Sequence, residues 1–163
     1  MDLIIAADRR WAIGNKGGLL CHLSGDMKYF KEKTTGNVIV MGRATLESFP
    51  KPKGLPNRVN IVLSRNPEYQ AEDVTVCHSD EELRQELRKY PDRKIFIIGG
   101  ESIYRKYYKE CENLFVTKID AEFEADRWFV DIDQDPDFRI AWESEPQEEH
   151  GIRYHFVRYE KVK

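Results

Sequence analysis

Two glycine-containing segments stand where short apolar runs give way to stretches of helical character. Residues 38–41 lead into Gly-Arg-Ala-Thr at 42–45, and residues 95–98 lead into Gly99 and Gly100. When a strand passes through glycine into a helix, free backbone N–H groups at the helix start can bind a phosphate. Neither segment has the GxGxxG or GxxxxGK(S/T) pattern of standard nucleotide sites. A tight turn would explain either segment alone, but two in one small sheet, one beside an arginine, favour a cofactor with a pyrophosphate.

A third apolar run, at residues 59–63, opens into Ser64 and Arg65. A guanidinium at a strand end could bind the 2′-phosphate that distinguishes NADP from NAD. The alternative is a solvated loop charge, and the spacing alone favours that alternative.

Asp26 is the candidate for proton chemistry. It follows Ser24, which we expect to be a helix N-cap, and it shares a helix face with Tyr29 and Phe30. One interpretation is an acid that meets the positive end of the helix dipole, worth about 0.3–1 kcal/mol. The other is a carboxylate at the edge of an apolar pocket, where desolvation raises its pKa toward neutrality. The local pattern leaves both interpretations open.

The elements that must position these residues follow an α/β pattern. Four short apolar runs are typical of strands buried on both faces: residues 3–7, 38–41, 59–63 and 95–98. Helices are predicted between them at 26–33, 45–49, 79–90 and 101–110, the third with a capping box formed by Ser79 and Glu82. Further strands are predicted at 114–119, 126–132, 138–144 and 152–162, the last two joined by a polar turn at 145–151. We therefore expect one α/β domain over residues 1–163, with a mainly parallel central sheet flanked by helices and an antiparallel carboxy-terminal hairpin.

The composition excludes several classes of function. Lys and Arg number 26 against 29 Asp and Glu, for a formal net charge of −3, so no global basic field exists for nucleic acid. Cys21, Cys77 and Cys111 are odd in number and lack metal-type spacing, which predicts neither a metal site nor a disulfide framework. The apolar runs are too short for a membrane span, and the amino terminus does not resemble a signal peptide. We expect a soluble cytoplasmic protein without nucleic-acid or membrane partners.

Six segments of the chain carry a resemblance to a known family. They are residues 11–15 (Trp-Ala-Ile-Gly-Asn), 26–31 (Asp-Met-Lys-Tyr-Phe-Lys), 40–48 (Val-Met-Gly-Arg-Ala-Thr-Leu-Glu-Ser), 56–64 (Pro-Asn-Arg-Val-Asn-Ile-Val-Leu-Ser), 97–100 (Ile-Ile-Gly-Gly) with Tyr104, and 117–121 (Thr-Lys-Ile-Asp-Ala). In order and spacing they resemble dihydrofolate reductase, and the match extends from Leu3 through the carboxy-terminal hairpin.

The resemblance implies an NADPH-dependent oxidoreductase that reduces 7,8-dihydrofolate to 5,6,7,8-tetrahydrofolate for one-carbon metabolism. Hydride would pass to C6 of the pterin, with Asp26 assisting protonation of N5. The implied cofactor is NADPH, the implied partner is the small molecule dihydrofolate, and the implied state is a monomer. Diaminopyrimidine antifolates should also bind.

The resemblance also assigns roles to individual residues. The implied catalytic residues are Asp26 and Thr117. The implied substrate-binding residues are Ile4, Ala6, Met27, Phe30, Phe49, Leu55, Arg58 and Ile98, with Arg58 on the α-carboxylate of the glutamate tail. The implied cofactor-binding residues are Ala6, Ile13, Gly14, Leu19, Gly42, Arg43, Ala44, Thr45, Ser48, Ser64, Arg65, Gly99, Gly100 and Tyr104. A cis peptide is predicted between Gly99 and Gly100, and residues 9–23 resemble a mobile lid, with a plain surface loop as the alternative.

The chain departs from the family pattern at several positions. Cys21 stands where the family nearly always has Trp, Leu20 and Ser24 stand where Pro is common, and Ser102 replaces a basic residue of some members. A small thiol at position 21 should loosen that corner of the site, and we expect it to act as a small apolar filler. Two other functions remain. One is a pterin or pyrimidine reductase of the riboflavin-pathway type, against which Asp26 followed by Phe30 and Lys31, together with Arg58, argues. The other is a catalytically silent NADPH- or folate-binding protein, for which Cys21 is the only indication.

Overall fold

The computed structural model describes residues 1–162 and contains two β-sheets. The strands are β1 (Asp2–Ala7), β2 (Ala12–Gly14), β3 (Val38–Gly42), β4 (Val59–Leu63), β5 (Thr75–Cys77), β6 (Ile95–Ile97), β7 (Asn113–Ile119), β8 (Arg127–Trp128), β9 (Phe138–Glu143), β10 (Gln147–Glu149) and β11 (Ile152–Lys161). The main sheet has the order β10-β11-β7-β1-β6-β3-β4-β5, with β9 also paired to β11, and β2 pairs with β8 separately.

The main sheet is parallel except at its carboxy-terminal end. Every pairing among β1, β3, β4, β5, β6 and β7 is parallel. β11 runs antiparallel to β7, β9 and β10. The predicted fold class, a mainly parallel sheet that ends in antiparallel strands, is confirmed.

Four α-helices cover the two faces of the sheet. They are α1 (Ser24–Thr34), α2 (Arg43–Glu47), α3 (Asp80–Leu87) and α4 (Glu101–Tyr107). Alternate residues of β1 point to opposite faces. Leu3 and Ile5 join the apolar cluster that contains Leu83 of α3 and Tyr107 of α4. Ile4 joins the cluster beneath α1 and α2. Because helices cover both faces of the main sheet, its strands need side chains that are apolar on both sides. This explains the continuous apolar runs in the sequence.

The two predicted helix caps have different outcomes. Ser79 accepts a hydrogen bond from the backbone N–H of Glu82 at 3.1 Å, so the predicted cap of α3 is confirmed. The predicted cap at Ser24 is wrong, because α1 begins at Ser24, and Leu23 is the N-cap without a side-chain bond. The N–H groups of Ser24 and Gly25 instead meet the carboxylate of Glu149, which lies far along the chain.

Two predictions for the carboxy-terminal half also need correction. The predicted strand at 126–132 is reduced to Arg127–Trp128, and Ile132–Gln134 forms a 3₁₀ turn. Its apolar residues Phe129 and Ile132 pack into the core instead of extending the sheet. The predicted turn at 145–151 contains strand β10, so the reversal itself narrows to His150 and Gly151, with φ values of 53° and 77°. Positive φ at both central residues is typical of a tight hairpin turn.

Within residues 1–162, no helix combines the length and apolar character that a membrane crossing requires. In the same range, no group of three or more His, Cys, Asp or Glu side chains is arranged to hold a metal ion.

Candidate active site

Asp26 and Thr117 meet where α1 packs on the sheet. Asp26 lies in the first turn of α1. Thr117 lies in β7, in register with Ala6 of β1 and Phe156 of β11, so these side chains share the face that α1 covers. Thr117 is buried, and its Oγ1 donates a hydrogen bond of 2.5 Å to Asp26 Oδ1. The fold thus brings the two predicted catalytic residues into direct contact.

The surroundings of Asp26 disfavour its charged form. Burial raises the pKa of Asp26, and the hydrogen bond from Thr117 offsets part of that rise. No cationic side chain contributes to its pKa. The nearby titratable groups are uncharged at neutral pH, and desolvation, with the Asp26 charge adding to it, raises the pKa of all four: Cys21, Tyr29, Tyr104 and Tyr154. A carboxyl group whose pKa is raised in this way is suited to exchanging a proton with a bound ligand.

An apolar wall extends from Asp26 along the covered face. Five predicted substrate-lining residues belong to one cluster: Ile4, Phe30, Phe49, Leu55 and Ile98. Ala6 lies in a neighbouring cluster that also contains Cys21 and Leu23. Met27 belongs to neither cluster and is 47% exposed, so the structure leaves its side chain at the rim.

Arg58 is held at the other end of α1. Its Nε donates to the Pro56 carbonyl at 3.0 Å, and its Nη1 donates to Thr34 Oγ1 at 3.0 Å. Thr34 is fully buried, and its hydroxyl donates in turn to the Phe30 carbonyl at 2.8 Å. Partial burial lowers the pKa of Arg58, although a guanidinium remains charged at neutral pH. These two anchors fix the plane of the guanidinium and leave Nη2 to meet an anion.

The predicted phosphate-binding glycines follow neighbouring strands. β6 and β3 are adjacent in the sheet, and Gly42 N donates to Gly99 O at 2.8 Å. The peptide between Gly99 and Gly100 is cis, which confirms that prediction. A Cβ on Gly99 would lie 3.2 Å from the Tyr104 ring and 3.4 Å from Thr45 Oγ1, at a φ of 124°, so only glycine fits there. α2 and α4 both begin without a side-chain cap, which leaves backbone N–H groups for an anionic ligand.

Tyr104 connects the glycine pair to the strand that carries Ile4 and Ala6. Its hydroxyl is buried and donates to the Ile4 carbonyl at 2.8 Å. Its backbone N–H donates to the Gly100 carbonyl at 2.9 Å. The position of α4 is therefore fixed relative to β1.

The predicted basic residues on the cofactor side are exposed. Arg43 Nε lies 3.9 Å from Glu47 Oε1, and the Arg43 guanidinium is 5.8 Å from the centre of the Tyr69 ring. Arg65 and Ser64 follow β4, which is farther from β7 than β6 and β3 are. Ser48 is exposed as well, and its hydroxyl donates to the Thr45 carbonyl. The predicted cofactor residues after β3, β4 and β6 therefore lie along the carboxyl ends of these parallel strands. Arg65 is at the end of this row that is farthest from Asp26.

The segment predicted to be a mobile lid, residues 9–23, is held by hydrogen bonds in only part of its length. Buried Asp8 accepts hydrogen bonds from the backbone N–H groups of Arg10 and Ala12. Gly14 lies in β2, and its carbonyl accepts from Asp126 N at 3.0 Å. Ile13 packs partly against the core, whereas Leu19 is 65% exposed and contributes nothing to the wall.

Comparison with known proteins places this geometry in a family. A profile described as dihydrofolate reductase matches residues 1–161. The chain belongs to the dihydrofolate reductase family. The dihydrofolate reductase of Bacillus subtilis strain 168 is 35% identical over 162 residues, which cover 99% of this chain and 94% of that protein. The dihydrofolate reductase of Staphylococcus haemolyticus is 32% identical over 164 residues, covering 100% of this chain and 96% of the relative.

A solved structure extends the similarity to three dimensions. The structure described as dihydrofolate reductase from Enterococcus faecalis complexed with NADP(H) and RAB-propyl superposes with a TM-score of 0.88. It is 36% identical in sequence and covers 99% of this chain and 96% of its own.

Two further residues, Cys21 and Glu149, lie near Asp26. Cys21 is half-buried in the cluster with Leu23 and Tyr154, and desolvation first, then the charges of Asp26 and Glu149, raise the pKa of its thiol. It is therefore a neutral thiol at neutral pH. Glu149 was not predicted as a site residue, since a contact across more than 120 residues leaves no local pattern.

Proposed function

We propose that this chain reduces 7,8-dihydrofolate to 5,6,7,8-tetrahydrofolate with NADPH, and that Asp26 assists protonation of N5 as C6 accepts hydride. One observation carries the proposal in a chain of this family. A half-buried carboxylate without a cationic partner is held by Thr117 at the end of an apolar wall. That arrangement suits a flat, weakly basic ring that needs one proton.

The residues around Asp26 match the pterin chemically. A carboxylate can accept two parallel hydrogen bonds from the amino group and ring N–H on one edge of the pterin. The hydroxyl of Thr117 donates its proton to Asp26, so the oxygen of Thr117 can still accept a hydrogen bond from the same pterin amino group. Ile4, Phe30 and Ile98 supply apolar surface for the ring and exclude water. The raised pKa of Asp26 favours its protonated form, from which N5 would be protonated through water.

Arg58 fits the other end of the substrate. A fixed guanidinium pairs with a carboxylate more strongly than a neutral donor does. Its position beside Thr34, one helix length from Asp26, supports a role on the α-carboxylate of the glutamate tail.

The carboxyl ends of β3, β4 and β6 suit a dinucleotide with a pyrophosphate. Gly42, Gly99 and Gly100 allow close backbone approach, and the starts of α2 and α4 offer uncapped N–H groups. Ala44 and Thr45 would share the phosphates with Arg43, and Ser64 with Arg65 would hold the 2′-phosphate. Ala6, Ile13, Gly14, Leu19, Ser48 and Tyr104 would complete the site. When bound, NADPH supplies the hydride.

We further propose that the chain works as a cytoplasmic monomer of one domain. The residues assigned to the two ligands lie in one copy of the chain, along the main sheet, its adjoining helices and loops, and β2, which supports a site complete in one chain. Cys21, Cys77 and Cys111 are free thiols, which suits a reducing compartment. Light scattering at working concentration should give a mass of 19.2 kDa, and a mass twice as large would contradict the monomer.

The direct test of the proposed function is turnover by the purified chain. Loss of reduced-nicotinamide absorbance that requires dihydrofolate is the expected result. Tight binding of NADPH without any turnover would instead identify a silent binding protein.

A further inference from the structure

The carboxylate of Glu149 binds the first turn of α1 from the distant β10–β11 hairpin. Glu149 Oε2 accepts the backbone N–H of Ser24 at 2.8 Å, and Oε1 accepts that of Gly25 at 3.2 Å. Each oxygen thus takes one of the N–H groups that a helix start leaves without an intrahelical partner. These hydrogen bonds lower the pKa of Glu149, so the capping group is charged at neutral pH.

The two capped residues immediately precede Asp26. Since Leu23 offers no side-chain cap, Glu149 is the side chain that holds this turn. Gly25 also lies so close to β11 that a Cβ there would be 2.1 Å from the Tyr154 hydroxyl oxygen. The hairpin therefore restrains the start of α1 at two neighbouring points, through Glu149 and through Tyr154.

A tight turn holds Glu149 at this position. His150 and Gly151, both with positive φ, reverse the chain directly after it, and Glu149 is in register with Ile152 of β11. β11 is also the strand whose Phe156 is in register with Thr117. β11 thus pairs with the strand that carries Thr117, and it follows directly on the turn that holds Glu149.

We propose that Glu149 is a positioning residue for the reductase reaction, which holds the first turn of α1 so that Asp26 faces Thr117 and the substrate. The proposal rests on the proposed function of Asp26. Glu149 touches neither Asp26 nor a ligand in this role. It acts through the backbone of residues 24 and 25.

Loss of the cap should loosen the first turn and admit water to Asp26. The groups that face Asp26 are Thr117 from β7, Cys21 before the helix, Tyr29 from α1, Tyr104 from α4 and Tyr154 from β11, with Glu149 beyond the helix start. None of them is a cation that would replace the lost restraint. Because burial is what raises the pKa of Asp26, entry of water should lower that pKa, and misplacement of the carboxylate should slow hydride transfer.

Two variants separate the cap from the charge of Glu149. Glu149→Ala removes both, whereas Glu149→Gln removes the charge and keeps an acceptor oxygen. Glu148→Ala is the matched control, since Glu148 is the exposed neighbour on the same strand.

Two readouts decide the proposal: the single-turnover rate of hydride transfer, and the pKa of the Asp26 carboxyl followed by NMR in the unliganded chain. We expect Glu149→Ala to lower the rate about tenfold and to lower the pKa of Asp26. Glu149→Gln should retain most of the rate, and Glu148→Ala all of it.

The proposal is overturned if Glu149→Ala, folded by circular dichroism, keeps the wild-type rate and the wild-type pKa of Asp26. It is also overturned if Glu149→Gln matches Glu149→Ala in both readouts, because charge alone would then explain the effect. Absence of hydride transfer in the wild type would instead contradict the proposed function, and the NMR titration would still report on the cap.

Discussion

Thr117 Oγ1 donates to Asp26 Oδ1 at 2.5 Å, and this contact determines which oxygen of the carboxyl carries a proton. Since Oδ1 accepts the hydroxyl, a proton on Asp26 resides on Oδ2. The acid therefore presents its proton away from Thr117. A carboxyl with one oxygen fixed and the other available is suited to hold a ring edge and to exchange a proton at the same site.

Replacement of Thr117 by Val should raise the pKa of Asp26 further, because the hydroxyl stabilises the ionised form. The midpoint of hydride transfer against pH should then move to higher pH. Leaving the carboxylate without this donor should also destabilise the chain by about 1–3 kcal/mol at neutral pH. Thr117→Ser, which retains the hydroxyl, is the control and should keep the wild-type midpoint. A midpoint unchanged in Thr117→Val would show that the hydroxyl does not act on Asp26.

Asp26→Asn should make the chain more stable at neutral pH. The pKa of Asp26 is higher in the folded chain than in the unfolded chain, so the folded state binds the proton more tightly. Asp26 consequently costs stability as pH rises from its unfolded pKa to its raised folded pKa, and the cost persists above that range. Removal of the charge should recover about 1.4 kcal/mol for each pH unit by which the pKa is raised. Urea unfolding of both chains from acidic to neutral pH measures this, and equal stabilities at neutral pH would contradict it.

The parts of this site that depend on local pattern could be predicted from the sequence. The buried runs at β1, β3 and β4 are continuous because helices cover both faces, and the cap at Ser79 lies only three residues from its partner. The paired glycines after β6 are visible in the sequence, and at Gly99 a φ of 124° and the nearby Tyr104 ring explain why glycine is needed.

Features that depend on tertiary contact could not be predicted. Ser24 has the chemistry of a cap, but Glu149 takes the helix start from more than 120 residues away. Residues 126–132 contain the apolar run 128–130 and suggest a strand, yet Phe129 and Ile132 pack into the core cluster that contains Tyr104 and Tyr107 of α4. Short strands such as β5 and β10 exist only because a neighbouring strand pairs with them.

Arg58→Lys should raise the KM for dihydrofolate about 10- to 100-fold with a smaller change in kcat, because an ammonium cannot keep both anchors and still pair with a carboxylate. Thr34→Val should raise KM in the same direction by a smaller factor, since it removes one anchor of the guanidinium. Arg88→Lys, at an exposed position after α3, is the control. Steady-state kinetics with a substrate analogue that lacks the glutamate should remove the difference between Arg58→Lys and the wild type. An equal KM for the intact substrate in both chains would place the tail elsewhere.

Arg65→Ala should weaken NADPH about 10- to 100-fold and leave NADH nearly unaffected, as expected for the loss of a charged partner of the 2′-phosphate. Arg43→Ala is the matched comparison and should weaken both cofactors alike, because its position at the start of α2 suits the shared phosphates. Fluorescence titration of the reduced cofactors measures both effects. Equal loss for NADPH and NADH in Arg65→Ala would make Arg65 a general phosphate contact.

The most direct test of the central claim is the pH dependence of single-turnover hydride transfer in the wild type and in Asp26→Asn. We predict that the wild-type rate falls as pH rises through the raised pKa of Asp26. The variant should be slower at neutral pH by about 100-fold or more, should bind NADPH normally, and should regain rate only at acidic pH where the substrate is protonated from solution. A variant that keeps the full rate at neutral pH, or the wild-type dependence on pH, would contradict the assignment of Asp26 as the group that governs protonation.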